Sequence, residues 1–219
     1  MSPDLESIGG IAHTPTGPAS GVVVLTHGAG GNRESPLLIA VCEQWAARGW
    51  LAIRYNLPYR RQRPKGPPSG AATDLAGVTG AIAAARAALL AATGSAGPMI
   101  AGGHSYGGRL TSMVVAQGET GVDTLTLFSY PLHPPGRPER LRTGHFESIA
   151  VPTVFTHGGA DPFGSIAELR TAVALIPAPT EIVEISGARH DLANPDAPAF
   201  AVSAALRLSG TGNSGTVGS

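Results

Sequence analysis

The sequence predicts a doubly wound α/β fold: a mostly parallel sheet of about seven strands with helices on both faces. Three observations carry that reading. Short apolar runs such as Val22-Val23-Val24-Leu25-Thr26 lack the polar alternation of a half-exposed strand, so they belong to strands buried on both faces. Between the runs lie stretches with apolar residues three and four apart, the period of an amphipathic helix. Glycine-rich turns follow several of the runs, at what become the carboxyl ends of strands, where open sheets of this kind carry their function.

The chain has 219 residues, which suits one domain over residues 1–209, and a Gly/Ser/Thr-rich tail over 210–219 is expected to be disordered. Lys+Arg and Asp+Glu both number 15, so no net field draws the protein to nucleic acid or to an anionic membrane. The single cysteine, Cys42, excludes an intramolecular disulfide and a cysteine-rich metal site. Residues 1–6 show no basic segment followed by an apolar one, no apolar run is expected to reach the length of a membrane span, and a cytoplasmic location is expected.

A weak strand at about residues 5–12 leads through Pro15, Gly17 and Pro18 into the 22–26 strand. The loop His27-Gly28-Ala29-Gly30-Gly31-Asn32 follows. Ser35 caps a helix with Pro36 at its first position, and Leu38, Val41, Cys42 and Trp45 are its buried stripe up to Gly49. Trp50-Leu51-Ala52-Ile53 is the next strand. Arg60, Arg61, Arg63 and Lys65 then stand in a proline-rich loop, read as solvated rather than as a rim selecting acidic substrates. Thr73 caps the longest helix, with Leu75, Val78, Ile82, Ala85 and Leu89 at 3-4-3-4 spacing. Strand 98–102, a helix to about Gln117, and strands at 124–128 and 151–156 come next. Ser165 and Glu168 form a capping box, and Ile166, Leu169, Val173 and Ile176 face inward. Strand 181–185 and a helix begun by Asn194 and Pro195, carrying Phe200, Ala204 and Leu208, complete the pattern.

The chemistry gathers at Gly103-His104-Ser105-Tyr106-Gly107, a Gly-x-Ser-x-Gly run between an apolar strand and a helix. With 30 glycines in the chain the bare motif has little weight, and its strand–turn–helix setting is what makes it a nucleophile elbow. A sharp turn there lifts the Ser105 hydroxyl above the sheet at a helix N-terminus, where backbone N–H groups can receive an oxyanion.

A serine hydroxyl needs a base, and the base needs an acid to hold its tautomer. Elbow hydrolases order these parts as nucleophile, acid, base along the chain. His190 alone among the histidines lies beyond Asp161, in the loop after the last strand, and Asp161 lies in the loop after the penultimate one. Asp123 precedes its strand and faces the opposite sheet edge, whereas Glu139 and Glu147 are weaker substitutes for the acid.

The oxyanion donors expected are the N–H groups of Tyr106 and Ala29, with Gly28 nearby. His27 is open to a catalytic or a loop-orienting reading. The glycine loop lacks the Gly-Lys-Ser/Thr ending of a phosphate loop, and neither His157 with Asp161 nor His190 with Asp191 has metal-ligand spacing, so no metal or cofactor is expected. The interval 129–150 is too short for a multi-helix cap. Tyr106, Tyr130, Leu132 and Phe163, with Asn56 and Tyr59 opposite, are expected to wall the substrate pocket.

Leu25-Thr26-His27-Gly28-Ala29-Gly30-Gly31, the elbow, Tyr130-Pro131-Leu132-His133-Pro134-Pro135-Gly136 and Gly158-Gly159-Ala160-Asp161-Pro162-Phe163-Gly164 together resemble the dienelactone-hydrolase-related branch of α/β-hydrolases. Within it, the sequence looks like the group containing testis-expressed protein thirty and the third subunit of the NSL histone-acetylation complex. The resemblance covers about residues 20–195 and implies the hydrolase fold, with Ser105, Asp161 and His190 as nucleophile, acid and base. Dienelactone hydrolases use cysteine where Ser105 stands. The expectation is a serine hydrolase that acts on small-molecule esters of small acyl groups through an acyl-enzyme. A catalytically silent binding module, or an acyltransferase or peptidase using the same residues, is the alternative.

Overall fold

A computed structural model describes residues 3–211. Seven strands form one sheet: β1 (Gly10–His13), β2 (Val22–Thr26), β3 (Leu51–Tyr55), β4 (Met99–His104), β5 (Thr124–Phe128), β6 (Thr153–Gly158) and β7 (Thr180–Ile185). Their order is β1-β3-β2-β4-β5-β6-β7. β1 pairs antiparallel with β3, and every other pairing is parallel. β2, β3 and β5 are buried at every residue, which explains why they read as unbroken apolar runs.

Helices cover both faces. α2 (Pro36–Ala47) and α7 (Ala197–Leu208) bury Leu38, Val41, Trp45, Ala201 and Val202 with Val23, Leu25 and Phe128 on one side. α4 (Ala71–Thr93), α5 (Tyr106–Val115) and α6 (Ile166–Val173) bury Val78, Ile82, Leu89, Leu110 and Leu169 with Val22, Ile53 and Phe155 on the other. Two short helices, α1 (Pro3–Ser7) and α3 (Pro58–Gln62), complete the set.

Several expectations need correction. The first strand is only Gly10–His13, because α1 and a turn at Gly9 take up the residues before it. α4 starts two residues before Thr73, with Gly70 at its N-cap. Ser35 stands at the N-cap of α2 but its side chain makes no capping bond, whereas the Ser165–Glu168 box is formed. α7 begins at Ala197, and its Phe200 is exposed because small residues on the opposite face pack against the sheet. α4 also contradicts the expectation about apolar length: its 23 residues are long and apolar enough to cross a membrane by length and composition. Its Val78, Ala81, Ile82, Ala85 and Leu89 stripe packs on the sheet, and the excess hydropathy comes from alanines on its other faces. Of the tail, Gly210 closes a turn on Arg207, and residues 212–219 lie outside the described residues.

The strand order reverses between β3-β2 and β4-β5-β6-β7. Thr26 at the end of β2 pairs with Gly103 in β4, so the loops leaving these two strands rise side by side. This is the switch point at which open α/β sheets form their clefts.

Candidate active site

Ser105 sits at the tip of the turn between β4 and α5 with φ 50° and ψ −116°, a left-handed conformation that a residue with a Cβ adopts only under constraint. The constraint is visible in the neighbouring glycines. A Cβ at Gly103 would lie 2.5 Å from the Thr26 carbonyl oxygen, and one at Gly107 would collide with the His27 carbonyl. The Ser105 N–H donates to Phe128 O at 2.8 Å, tying the turn to β5.

Ser105 Oγ lies 2.8 Å from His190 Nε2, and His190 Nδ1 lies 2.8 Å from Asp161 Oδ2. The three residues arrive from the ends of β4, β7 and β6. Asp161 Oδ1 accepts from the Phe163 N–H at 2.8 Å. Burial pushes the Asp161 carboxyl up, but the hydrogen bonds from His190 and Phe163 outweigh it and hold the group below its ordinary value. The Phe163 ring lies against the imidazole of His190, with centroids 4.2 Å apart. Glu139 and Glu147, the weaker candidates for the acid, are both exposed.

The glycine loop after β2 is held by groups on α3. Tyr59 OH donates to Ala29 O at 2.8 Å. The Arg60 guanidinium donates to Gly31 O at 2.8 Å and to Ala29 O at 3.1 Å. These bonds turn the loop carbonyls toward α3. The N–H groups of Ala29 and Tyr106 have no acceptor among the described residues. Buried Asp74 of α4 links both sides, accepting from the Tyr59 N–H at 3.1 Å and the Tyr106 hydroxyl at 3.0 Å. His27 bonds Gly28 O through Nδ1 and accepts from the Leu57 N–H at Nε2, so it orients the loop. Burial lowers its pKa to about 4, which keeps it neutral.

A cavity of about 620 Å³ opens above these groups, lined in part by Ala29, Ser105, Tyr106, Pro131, Phe163 and His190. Gly28 also lines it. Four residues expected in its wall are elsewhere. Tyr130 and Leu132 are buried beneath the surface, where Tyr130 packs on Phe146 and Phe155 and donates to Arg142 O. Tyr59 is buried behind the glycine loop, and Asn56 accepts from the Arg33 N–H. In each case an apolar or hydrogen-bonding demand of the scaffold claims the side chain. Sequence reading missed Arg60, which is buried against loop carbonyls rather than solvated, and Arg109 and Arg142, which line the cavity. Arg109 was findable, since it stands one helical turn after Ser105.

Over residues 19–206 the chain matches the family described as Alpha/beta hydrolase domain. The chain belongs to this family. Solved structures share the alpha/beta hydrolase fold. Est1E from Butyrivibrio proteoclasticus, solved with ferulic acid bound, superposes with a TM-score of 0.72 at 13% identity, covering 91% of this chain and 94% of that one. Dienelactone hydrolase from Anabaena variabilis gives 0.66 at 23% identity, covering 90% and 88%. A thermophilic esterase from the planctomycete Thermogutta terrifontis gives 0.66 at 20% identity, covering 94% and 90%. Among the described residues this alpha/beta hydrolase has no cluster of three or more His, Cys, Asp or Glu side chains that could hold a metal.

Proposed function

We propose that this alpha/beta hydrolase is a single-domain serine esterase that cleaves carboxylic esters of small acyl groups through an acyl-enzyme. The observation that carries the reading is the unbroken hydrogen-bond chain Ser105 Oγ–His190–Asp161, with 2.8 Å at both links. In acylation His190 Nε2 takes the hydroxyl proton while Oγ bonds to the ester carbonyl carbon. The same proton passes to the departing alkoxide as the C–O bond breaks. Water then repeats the sequence in reverse to free the acid. Asp161 holds Nδ1–H and stabilises the imidazolium in both halves. The N–H groups of Ala29 and Tyr106, without an acceptor among the described residues, are the donors for the oxyanion.

The preference for small acyl groups rests on the segment between β5 and β6. Its only helical element among the described residues is the 3-10 turn Phe146–Ser148, so no helices stand over the cavity to grip a long chain. Each buried methylene is worth about 0.8 kcal/mol, and an exposed one almost nothing. Kinship with the testis-expressed protein thirty group is supported by the Tyr130–Gly136 block.

The test is turnover of p-nitrophenyl esters from acetyl to palmitoyl, together with labelling by a fluorophosphonate. Labelling that requires Ser105, and rates that peak at short chains with no jump at the critical micelle concentration, are expected. Failure to label and to turn over any ester would mark a silent binding module. Rates that climb to palmitoyl would remove the chain-length preference.

A further inference from the structure

Two guanidinium groups line the cavity that holds Ser105 and His190: those of Arg109 and Arg142. Arg109 lies on α5, its N–H bonded to Ser105 O at 2.9 Å, so its side chain leaves the helix one turn beyond the nucleophile. Its Nε is buried and has no hydrogen-bond partner. Arg142 comes from the long connection between β5 and β6 and uses one Nη on the Pro131 carbonyl at 3.3 Å. Neither arginine forms an ion pair among the described residues, whereas Arg33, Arg54, Arg170 and Arg207 each have a carboxylate.

No carboxylate pairs with either group among the described residues. Tyr106, Tyr130, Arg142 and His145 all lie close enough to Arg109 to feel its charge. His145, whose Nε2 lies 2.8 Å from Ser112 Oγ, is pushed to about 4 by burial and then by Arg109. Arg142 is lowered by burial, by Arg109 and by Arg140. Arg109 and Arg142 are half-buried, and a guanidinium drawn partly out of water without a carboxylate carries a desolvation cost that ion pairing would offset. Here both residues line the catalytic cavity. A guanidinium presents donors in a planar fork that matches the two oxygens of a carboxylate.

We propose that Arg109 and Arg142 form an anion subsite beside Ser105, and that the substrates are esters carrying a carboxylate a few bonds from the scissile group. This deepens the esterase reading and rests on it. A neutral ester leaves both charges unmatched, so selectivity appears as a ratio between matched anionic and neutral esters.

The test compares kcat/KM for p-nitrophenyl hexanoate and for the p-nitrophenyl half-ester of adipic acid, which puts the carboxylate on the acyl side. A second pair, the butyrate esters of p-cresol and of p-hydroxybenzoate, puts it on the leaving group. A preference for the anionic member of about 10- to 100-fold is expected in one pair, the size of a lost charge-assisted hydrogen bond. That ratio should collapse toward one in Arg142→Gln, Arg109→Gln and the double variant, and survive in part in Arg109→Lys. High salt should shrink it in the wild-type protein. No preference in either pair, or a preference that persists in both Gln variants, overturns the subsite while leaving the esterase reading in place. If no ester is turned over, the esterase reading fails, and calorimetry decides the subsite separately. Ser105→Ala protein should bind monomethyl adipate, and lose at least tenfold in affinity on adding Arg142→Gln; no binding overturns the proposal.

Discussion

At Ser105 the backbone is held in a conformation that glycine adopts freely and serine does not. Placing a hydroxyl there costs about 1–3 kcal/mol, and the packed glycines around it supply the constraint. Two substitutions separate strain from chemistry. Ser105→Ala and Ser105→Gly should both lose several orders of magnitude in ester turnover. By thermal unfolding the glycine variant should be the more stable of the two, by about 1 kcal/mol, because only it relaxes the positive φ. Equal stability of the two would remove the strain argument. Asp161→Asn should cost about three to four orders of magnitude in kcat by permitting the wrong imidazole tautomer. Glu139→Gln and Glu147→Gln, at exposed positions, should stay near wild-type rates. A larger loss in either would reassign the acid.

The glycine loop depends on elements that do not themselves carry the reacting groups. α3 is only five residues long, yet its Tyr59 and Arg60 hold the carbonyls of Ala29 and Gly31. Removing Arg60 leaves the half-buried Gly31 carbonyl without its donor and Ala29 O with Tyr59 alone, and an acceptor left unsatisfied costs about 1–3 kcal/mol. Arg60→Met should therefore lower the unfolding free energy by a few kcal/mol by this reckoning, and lower kcat more than it raises KM, because the loop's N–H donors act chiefly in the transition state. A rise in KM alone would mean that Arg60 contacts substrate. Gly107→Ala is a test of the close approach between α5 and β2. Its Cβ would meet the His27 carbonyl and the Thr26 methyl, so soluble yield should collapse unless the elbow shifts.

Across the whole molecule, acid stability follows from histidines buried in the neutral form. His27 has its pKa lowered from 6.5 to about 4 by burial, and burial also lowers His104 and His157. The unfolded chain therefore binds protons first as pH falls. The stabilisation from a neutral His27 is complete above about pH 6.5 and is lost between there and about pH 4, up to about 3 kcal/mol for this group alone. Asp161, lowered in the fold, loses its own contribution further down, as pH falls through its folded value. Thermal unfolding midpoints should fall steadily from neutral pH to about pH 4, and the slope should be shallower in His27→Gln. A flat profile over that range would contradict the neutral burial of His27.

The alternation of apolar runs with helical spacing determined the sheet and its flanking helices, because burial on both faces leaves no room for polar alternation in the central strands. The elbow and the order Ser105, Asp161, His190 were likewise legible, since glycines forced by close approach and polar residues after strands are local features. Only the tertiary structure decided which side chains reach the cavity. Tyr130 and Leu132 sit beside it in sequence but turn inward, where the Phe146 and Phe155 cluster buries them. Arg60, in a run of charges that looked solvated, is drawn under the glycine loop by four carbonyls. Arg109 and Arg142 are 33 positions apart and come to line one cavity only in the assembled fold. Burial and pairing are properties of assembled neighbours, and a linear pattern records a side chain's polarity without recording which partner will satisfy it.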